Sequence, residues 1–473
     1  MSSMRNLPNI VLIVVDTLRA DALSLYGGSG HQPNFEAVAR DGVVLKQCKS
    51  VASWTIPSHA SIFTGMYPSE HGVHESSKVK ISDPSSIKLL LESNANHSII
   101  RRLDALGYNT FGISCNDLVS SLYGFDSFFK YFEFSGLYNY TVEQRDLLQR
   151  INSEISSLDG EKKLYKPDIF NLIFGLRFKE LLLLKQKLNV LRNSSNGFIR
   201  EGFPKMKGGN KIVNRLFDSS IETPFLLFIN FMEMHEPYLL KKTKFGLLEA
   251  NDDYFMDNFK FKPHRNSEVQ KMKNIYYKNI NEVDKYLGLI VRYLRDSNIY
   301  DNTLIIITSD HGQSFKEHGY YGHGIFLYDE LVDIPTILKP PKNFKFIIDN
   351  DKHPYFSHLD IYQSILECSE LDTNIELGNN YAISQSFGVQ NDYSNNPNLN
   401  IAYFNSVKKN IDCKRQAFFK NGYKLTLNGT LGTVESFEYR GKEVDQIDNK
   451  IMKEMVEEFA VINTEKNFII PEV

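Results

Sequence analysis

Apolar residues fall into two alternating patterns along this chain. Residues 9–15, 108–114, 224–231 and 302–308 are short, nearly unbroken apolar runs rich in β-branched and aromatic side chains. Each is predicted to be a strand buried on both faces, as in a parallel sheet. Residues 42–47 read as a further strand. Between these runs, apolar residues recur at helical spacing over 35–40, 99–106 and 275–294. The alternation predicts an α/β fold with a doubly wound, mostly parallel sheet between helices.

The pattern changes after Pro340-Pro341. Residues 357–366 read as a helix and 380–402, rich in Asn, Ser and Gly, as loops. Residues 416–420, 423–427 and 434–439 read as short antiparallel strands, with Asn421-Gly422 as a hairpin turn. An amphipathic helix over 447–459 closes the chain. The expected division is a catalytic α/β domain over 1–345 and a smaller α/β unit over 346–473. Residues 130–220 carry many Lys and Arg with few acids and read as a basic helical insertion, centred on a helix over 170–191. A solvated cover is the expected role, ahead of a lid or docking surface for an anionic substrate.

Polar groups gather where these runs end. Asp16 follows the first run, Asn116 and Asp117 the second, His235 the third, and Asp310-His311 the fourth. In open α/β sheets, ligands bind outside the carboxyl ends of the strands. Residues 54–65 add a hydroxyl, Thr55, before a Pro-Ser step and a short apolar run that Gly65 ends. Pro suits a first helical turn and Gly the position after a helix, so Thr55 is expected at or near a helix N-terminus. It could be a plain N-cap or a nucleophile placed where the helix favours an anion.

Taken together, Asp16, Thr55, Asp310 and His311 make a mixed O/N shell for one divalent cation, Zn²⁺ or Mn²⁺ first and Mg²⁺ or Ca²⁺ after them. Such a cation would activate the Thr55 hydroxyl. His235 and His323 are the candidates to stabilise the transferring group or protonate a leaving group. His59, four residues after Thr55, could face the site from the same helix.

Bulk properties narrow the classes. The chain has 473 residues and a formal net charge of −3, which argues against a dedicated nucleic-acid binder. Its four cysteines are scattered without CxxC spacing, so reduced thiols are expected rather than a disulfide framework. No run approaches the roughly 20 apolar residues of a membrane span, and the run after Arg5 is too short for a signal peptide. A cytoplasmic location is the expectation. Oligomeric state is not readable.

The ordered set of motifs resembles the sulfatase-like branch of the alkaline phosphatase superfamily. The matching pieces are residues 8–16, 55–58 through 64–68, His71-Gly72, 231–238, 303–312, 317–319, 322–324, 357–360 and 419–425. The resemblance implies an alkaline-phosphatase-like sheet with a smaller C-terminal antiparallel sheet and helix. It also implies a metal site at Asp16, Asp310 and His311 with the nucleophile at Thr55, and substrate contacts at His71 and Asn116.

Departures from the pattern point to the subclass. Sulfatases of this family place Cys or Ser at the Thr55 position and oxidise it to formylglycine; the β-methyl of Thr forbids that aldehyde. They also place Arg where His59 stands and a second Asp where Thr17 stands. A Thr nucleophile with Asp-His resembles instead the phosphoethanolamine and phosphoglycerol transferases, which are typically membrane-anchored. Two-metal members carry Asp-x-x-x-His, but Phe231 holds that Asp position, so one ion is expected.

The function expected from these residues is hydrolysis or transfer of a phosphate ester through a phospho-Thr55 intermediate. A sulfuric ester hydrolase without formylglycine is the alternative, and an inactive glycan- or phosphate-binding protein the second. The expected substrate is an anionic ester, with an envelope glycopolymer precursor as one such case.

Overall fold

The computed structural model describes residues 7–76, 79, 83–135, 208–217, 221–236, 238, 240–242, 248–250, 265–389, 400–444, 450–465 and 467–472. Seven strands form the main sheet: β1 (Asn9–Val15), β2 (Val43–Val44), β3 (Asn109–Ser114), β4 (Tyr131–Phe134), β5 (Phe225–Phe231), β6 (Thr303–Thr308) and β7 (Thr336–Lys339). Their order is β2-β7-β6-β1-β5-β3-β4. The five from β6 to β4 are parallel, while β7 alone is reversed and pairs antiparallel with both β6 and the edge strand β2.

β1 lies at the centre, and all seven of its residues are buried. Alternate side chains of a strand point to opposite faces, and on β1 both sets are apolar. Val11, Ile13 and Val15 pack on one side with α1 (Pro33–Arg40) and the long helix α5 (Asn266–Asp296). Ile10, Leu12 and Val14 pack on the other with α2 (Thr55–Thr64), α3 (Ile99–Ala105) and α6 (His358–Ser369). A strand covered on both faces has no use for polar alternation, which is why its sequence is an unbroken apolar run.

The second sheet is a sequential antiparallel meander of β8 (Tyr381–Ser386), β9 (Arg415–Lys420), β10 (Tyr423–Asn428), β11 (Thr433–Tyr439) and β12 (Lys442–Glu443). Helix α8 (Lys450–Ile462) covers it through Met452, Met455, Val456 and Phe459. The β9–β10 turn has φ of 53° at Asn421 and 82° at Gly422, as a hairpin turn of the primed kind requires.

Several expectations are adjusted. Residues 380–402, expected as loops, include strand β8 and the start of helix α7 (Ile401–Ile411). The polar composition there reflects a strand of Ser and Gln whose side chains bond to the main domain. Beyond the expected division at 345, Ile361, Ile365, Cys368, Ile375 and Leu377 belong to the core under the main sheet. The strand expected over 42–47 shrinks to Val43–Val44. Within the basic segment 130–220, β4 and helix α4 (Gly209–Phe217) are described; the helix expected over 170–191 lies outside the described residues.

The second sheet backs the approach to α2. Gln385 N–H donates to Val51 O at 2.8 Å, and the Ser384 hydroxyl donates to Ser50 O. The Lys424 ammonium pairs with Asp329 at 2.7 Å. The chain leading into Thr55 is thus held between two sheets.

Phe228 on β5 is fully buried and meets the rings of Phe63 and Phe129 at 5.1 and 5.7 Å between centroids. Phe228→Ala is expected to destabilise the fold by about 3–5 kcal/mol, the cost of emptying an aromatic core site. A shifted urea midpoint with an unchanged slope would show it; an unmoved midpoint would contradict this account of the core.

Candidate active site

Because the central strands are parallel, their carboxyl ends share one edge of the sheet. Asp16 leaves β1 there, and Ser309, Asp310 and His311 leave β6 beside it. Thr55 arrives from the other layer as the first residue of α2. Trp54 is extended, with φ −159° and ψ 167°, and occupies the cap position without a side-chain cap bond. Thr55 therefore does not cap the helix. Its Oγ1 lies 3.5 Å from Asp16 Oδ2 and 3.4 Å from His311 Nε2.

These spacings suit a shared cation better than direct hydrogen bonds. His311 Nε2 is 3.5 Å from Asp310 Oδ2 and 3.9 Å from Asp16 Oδ1. Ligand atoms about 2.0–2.2 Å from one ion stand roughly 3–3.6 Å from each other. Asp16 Oδ1 and Asp310 Oδ2 are buried without a hydrogen-bond partner. Burial, and for Asp16 also the neighbouring Asp310 charge, raises both carboxyls; Asp310 reaches about 7. Burial also lowers His311. Two buried carboxylates facing a neutral imidazole gain most from a divalent ion, which reverses that cost. The donor set of carboxylates, hydroxyl and imidazole fits Zn²⁺ or Mn²⁺.

Surrounding bonds fix each donor. The His311 Nδ1–H donates to Gly312 O at 2.9 Å, which leaves Nε2 as the lone-pair nitrogen. Thr17 N–H donates to Asp310 Oδ1 at 3.2 Å, and His311 N–H to the same oxygen at 2.9 Å. Thr17 has φ 59°, a left-handed conformation costly for a β-branched residue. The Tyr276 hydroxyl, donating to Thr17 O at 2.8 Å, helps hold it there. Backbone strain of this kind gathers at functional sites. Ser50 donates to Asp310 O, and Ser309 Oγ lies 2.7 Å from both Val15 O and His311 O, either of which can accept its one proton.

A second cluster borders the first. His235, Glu236 and His323 also converge closely enough to hold a cation. His235 Nε2 lies 4.0 Å from Asp16 Oδ1 and 3.6 Å from Glu236 Oε1. The His323 ring is 4.4 Å from that of His311. Gln313 bridges the cluster: its Nε2–H donates to Glu236 Oε2 at 2.8 Å, and its Oε1 meets His323 Nδ1 at 2.7 Å. Burial holds His323 well below the usual histidine range, hence neutral.

Three further expected site residues have their polar side-chain atoms hydrogen-bonded within the protein. Asn116, expected on the substrate, donates from Nδ2 to Asp16 Oδ2 and accepts from Leu118 N–H at 2.7 Å, so both ends of its amide are engaged. His71, expected on the substrate, accepts from Val73 N–H at 2.9 Å and meets Ser61 Oγ at 3.0 Å, again with both nitrogens engaged. His59, expected as catalytic, is fully buried, with Nδ1 on Thr55 O and Nε2 on Asn230.

Sequence reasoning passed over Asn230, Glu236, Gln313 and Ser309. Two of these had a readable signal. Asn230 interrupts the apolar run of β5, and Gln313 directly follows Asp-His-Gly.

Residues 8–371 match the sulfatase family profile. An N-acetylglucosamine-6-O-sulfatase of Bacteroides thetaiotaomicron is 24% identical over 369 residues, which cover 72% of this chain and 64% of that protein. An arylsulfatase of Clostridium perfringens is 24% identical over 362 residues, covering 71% of this chain and 69% of its own. The chain thus matches about two thirds of the length of these relatives. Among solved structures, a phosphonate monoester hydrolase of Agrobacterium radiobacter superposes with a TM-score of 0.57 at 15% identity, over 96% of this chain and 95% of the other. That likeness establishes the alkaline-phosphatase-like fold. Since the family match spans most of the chain and takes in both clusters, this protein belongs to the sulfatase family.

Proposed function

We propose that the protein cleaves or transfers phosphate esters through a covalent phospho-Thr55 intermediate. The observation that carries this reading is Thr55 Oγ1, held 3.5 Å from Asp16 Oδ2 and 3.4 Å from His311 Nε2 at the first turn of α2. A secondary hydroxyl there cannot become formylglycine, but it can act as an alkoxide nucleophile. A divalent ion held by Asp16, Thr55, Asp310 and His311 would supply Lewis acidity that makes the Thr55 alkoxide accessible near neutral pH.

The chain's own groups do the rest. Thr55 Oγ1, its proton given up to water, attacks phosphorus, and the P–O bond to the leaving group breaks. His235, partly open to solvent beside Asp16, donates a proton to the departing oxygen. His323, neutral and with its Nδ1–H given to Gln313 Oε1, presents a lone pair at Nε2 that can accept a hydrogen bond from the attacking water or hydroxyl. Water or an acceptor hydroxyl then displaces the threonine oxygen and returns its proton to His235. The backbone N–H groups of Thr55 and Ile56 in the first turn of α2 favour the anion at this end, while Pro57 has none to offer.

Sulfuric ester hydrolysis is the second reading. The relatives described above favour it: an N-acetylglucosamine-6-O-sulfatase and an arylsulfatase. Both readings share an anionic ester, and the sugar named for the first relative supports a glycan-borne one, such as an envelope glycopolymer precursor.

Parallel assays on bis(para-nitrophenyl) phosphate and para-nitrophenyl sulfate separate the readings, with faster turnover of the phosphodiester expected. Thr55→Ala is expected to lose about 10³-fold or more, the scale on which covalent nucleophiles act, while Thr55→Ser keeps activity. Undiminished turnover by Thr55→Ala would sink the phospho-threonine route.

Metal content gives an independent check. One equivalent of Zn²⁺ or Mn²⁺ per chain is expected, removed by chelation together with activity. At about 100 times its Kd the ion should add about 2.7 kcal/mol of stability, a gain absent in Asp310→Asn. Two equivalents would contradict the single-ion form of the proposal.

A further inference from the structure

His59 is a buried group that the reaction above does not use. It lies one helical turn after Thr55, with no exposed surface. Its Nδ1 is 2.9 Å from Thr55 O and 3.6 Å from Asp310 Oδ2. Its Nε2 is 2.7 Å from Asn230 Nδ2. Phe63, Phe125 and Phe228 turn ring edges or faces on it at 6.2, 6.3 and 6.0 Å.

The partners determine the tautomer. A backbone carbonyl can only accept, so Nδ1 carries the hydrogen and gives it to Thr55 O. Nε2 is then a lone pair, and Asn230 must present its NH₂ to it. That choice leaves Asn230 Oδ1 buried without a partner. Buried amide oxygens are costly to leave unpaired. Asn230 is also the one polar residue of the seven-residue strand β5. The fold carries two unfavourable features, a polar residue in an apolar strand and an orphaned oxygen, and both serve to hold one imidazole in one orientation.

We infer that His59 is a positioning residue: its Nδ1–H holds the Thr55 carbonyl while its Nε2 is held by Asn230, which ties the first turn of α2 to strand β5 beside Asp310. This rests on the reading of Thr55 as nucleophile. The imidazole touches a carbonyl of one cation-site residue and faces the carboxylate of another. Through Asn230 it thereby sets the position of the first turn of α2 against strand β5. Both its nitrogens are engaged inside the protein, so it exchanges no proton with the substrate. Its effect falls on the placement of Thr55 Oγ1, hence on the attack rather than on ester binding.

The experiment uses the full chain loaded with Mn²⁺ and bis(para-nitrophenyl) phosphate as substrate. His59→Phe keeps the ring and removes both bonds. It is expected to lower kcat about 10- to 100-fold, the usual range for a supporting partner, with KM and metal content unchanged. His59→Asn places an amide N–H where Nδ1–H stood and is expected to recover most of that loss, with both limbs of the pH–rate profile in place. Asn230→Leu leaves the imidazole but removes its lock; a smaller fall in kcat is expected, and it carries the test if His59→Phe does not fold.

Full kcat in both His59→Phe and Asn230→Leu would overturn the inference. So would a loss that His59→Asn fails to restore, a loss carried by KM or metal content, or a pH limb missing from His59→Asn. Thr55→Ala, assayed alongside, separates this from the reading beneath it. Its full activity would remove Thr55 as nucleophile whatever His59 does. Full activity of His59→Phe beside an inactive Thr55→Ala would overturn the positioning role alone.

Discussion

Two carboxylates buried side by side are the constraint on which the rest depends. Asp16 and Asp310 are both fully buried, and each has an oxygen with no hydrogen-bond partner. Such a pair is unfavourable by itself, since burial and mutual repulsion both oppose ionisation. Other features at the strand ends follow from holding it in place. Asn116 and the backbone amides of Thr17 and His311 each bond one carboxylate. Ser50 and Ser309 hold the loop that carries Asp310. The strained Thr17 backbone is the local cost of aiming its amide there.

The fold converts that constraint into a site through the parallel order of its sheet. Parallel strands put all their carboxyl ends on one edge, and covering both faces of β1 leaves the site no rival burial. The second sheet contributes through Ser384 and Gln385, which hold the segment entering α2. Thr55 is therefore presented by a helix whose N-terminus is anchored from two directions, while its hydroxyl stays turned toward Asp16 and His311.

Much of this was legible in the sequence, and the reasons are physical. A strand buried on both faces must be an apolar run, so β1, β3, β5 and β6 were readable together with the polar residues at their ends. The convergence of Thr55, Asp16, Asp310 and His311 could be anticipated because strand ends and a helix start are encoded locally. The roles of Asn116, His71 and His59 were not legible. Whether an amide or imidazole points into a site or into the protein depends on partners far away in sequence, such as Asn230 for His59. Strand β8 was missed because its Ser and Gln side chains are buried against the main domain, and helix α7 because it is mostly exposed and polar and buries only Phe404 and Ile411.

The chain keeps the scaffold of its family, and the phosphorus chemistry proposed for it turns on Thr55. The most direct measurement is a rapid quench of the metal-loaded protein during turnover of a phosphorus-labelled aryl phosphodiester, followed by peptide mass spectrometry. The account expects a labelled phosphoryl group on Thr55 that forms and decays at rates matching turnover. Steady turnover with Thr55 unmodified throughout would contradict it.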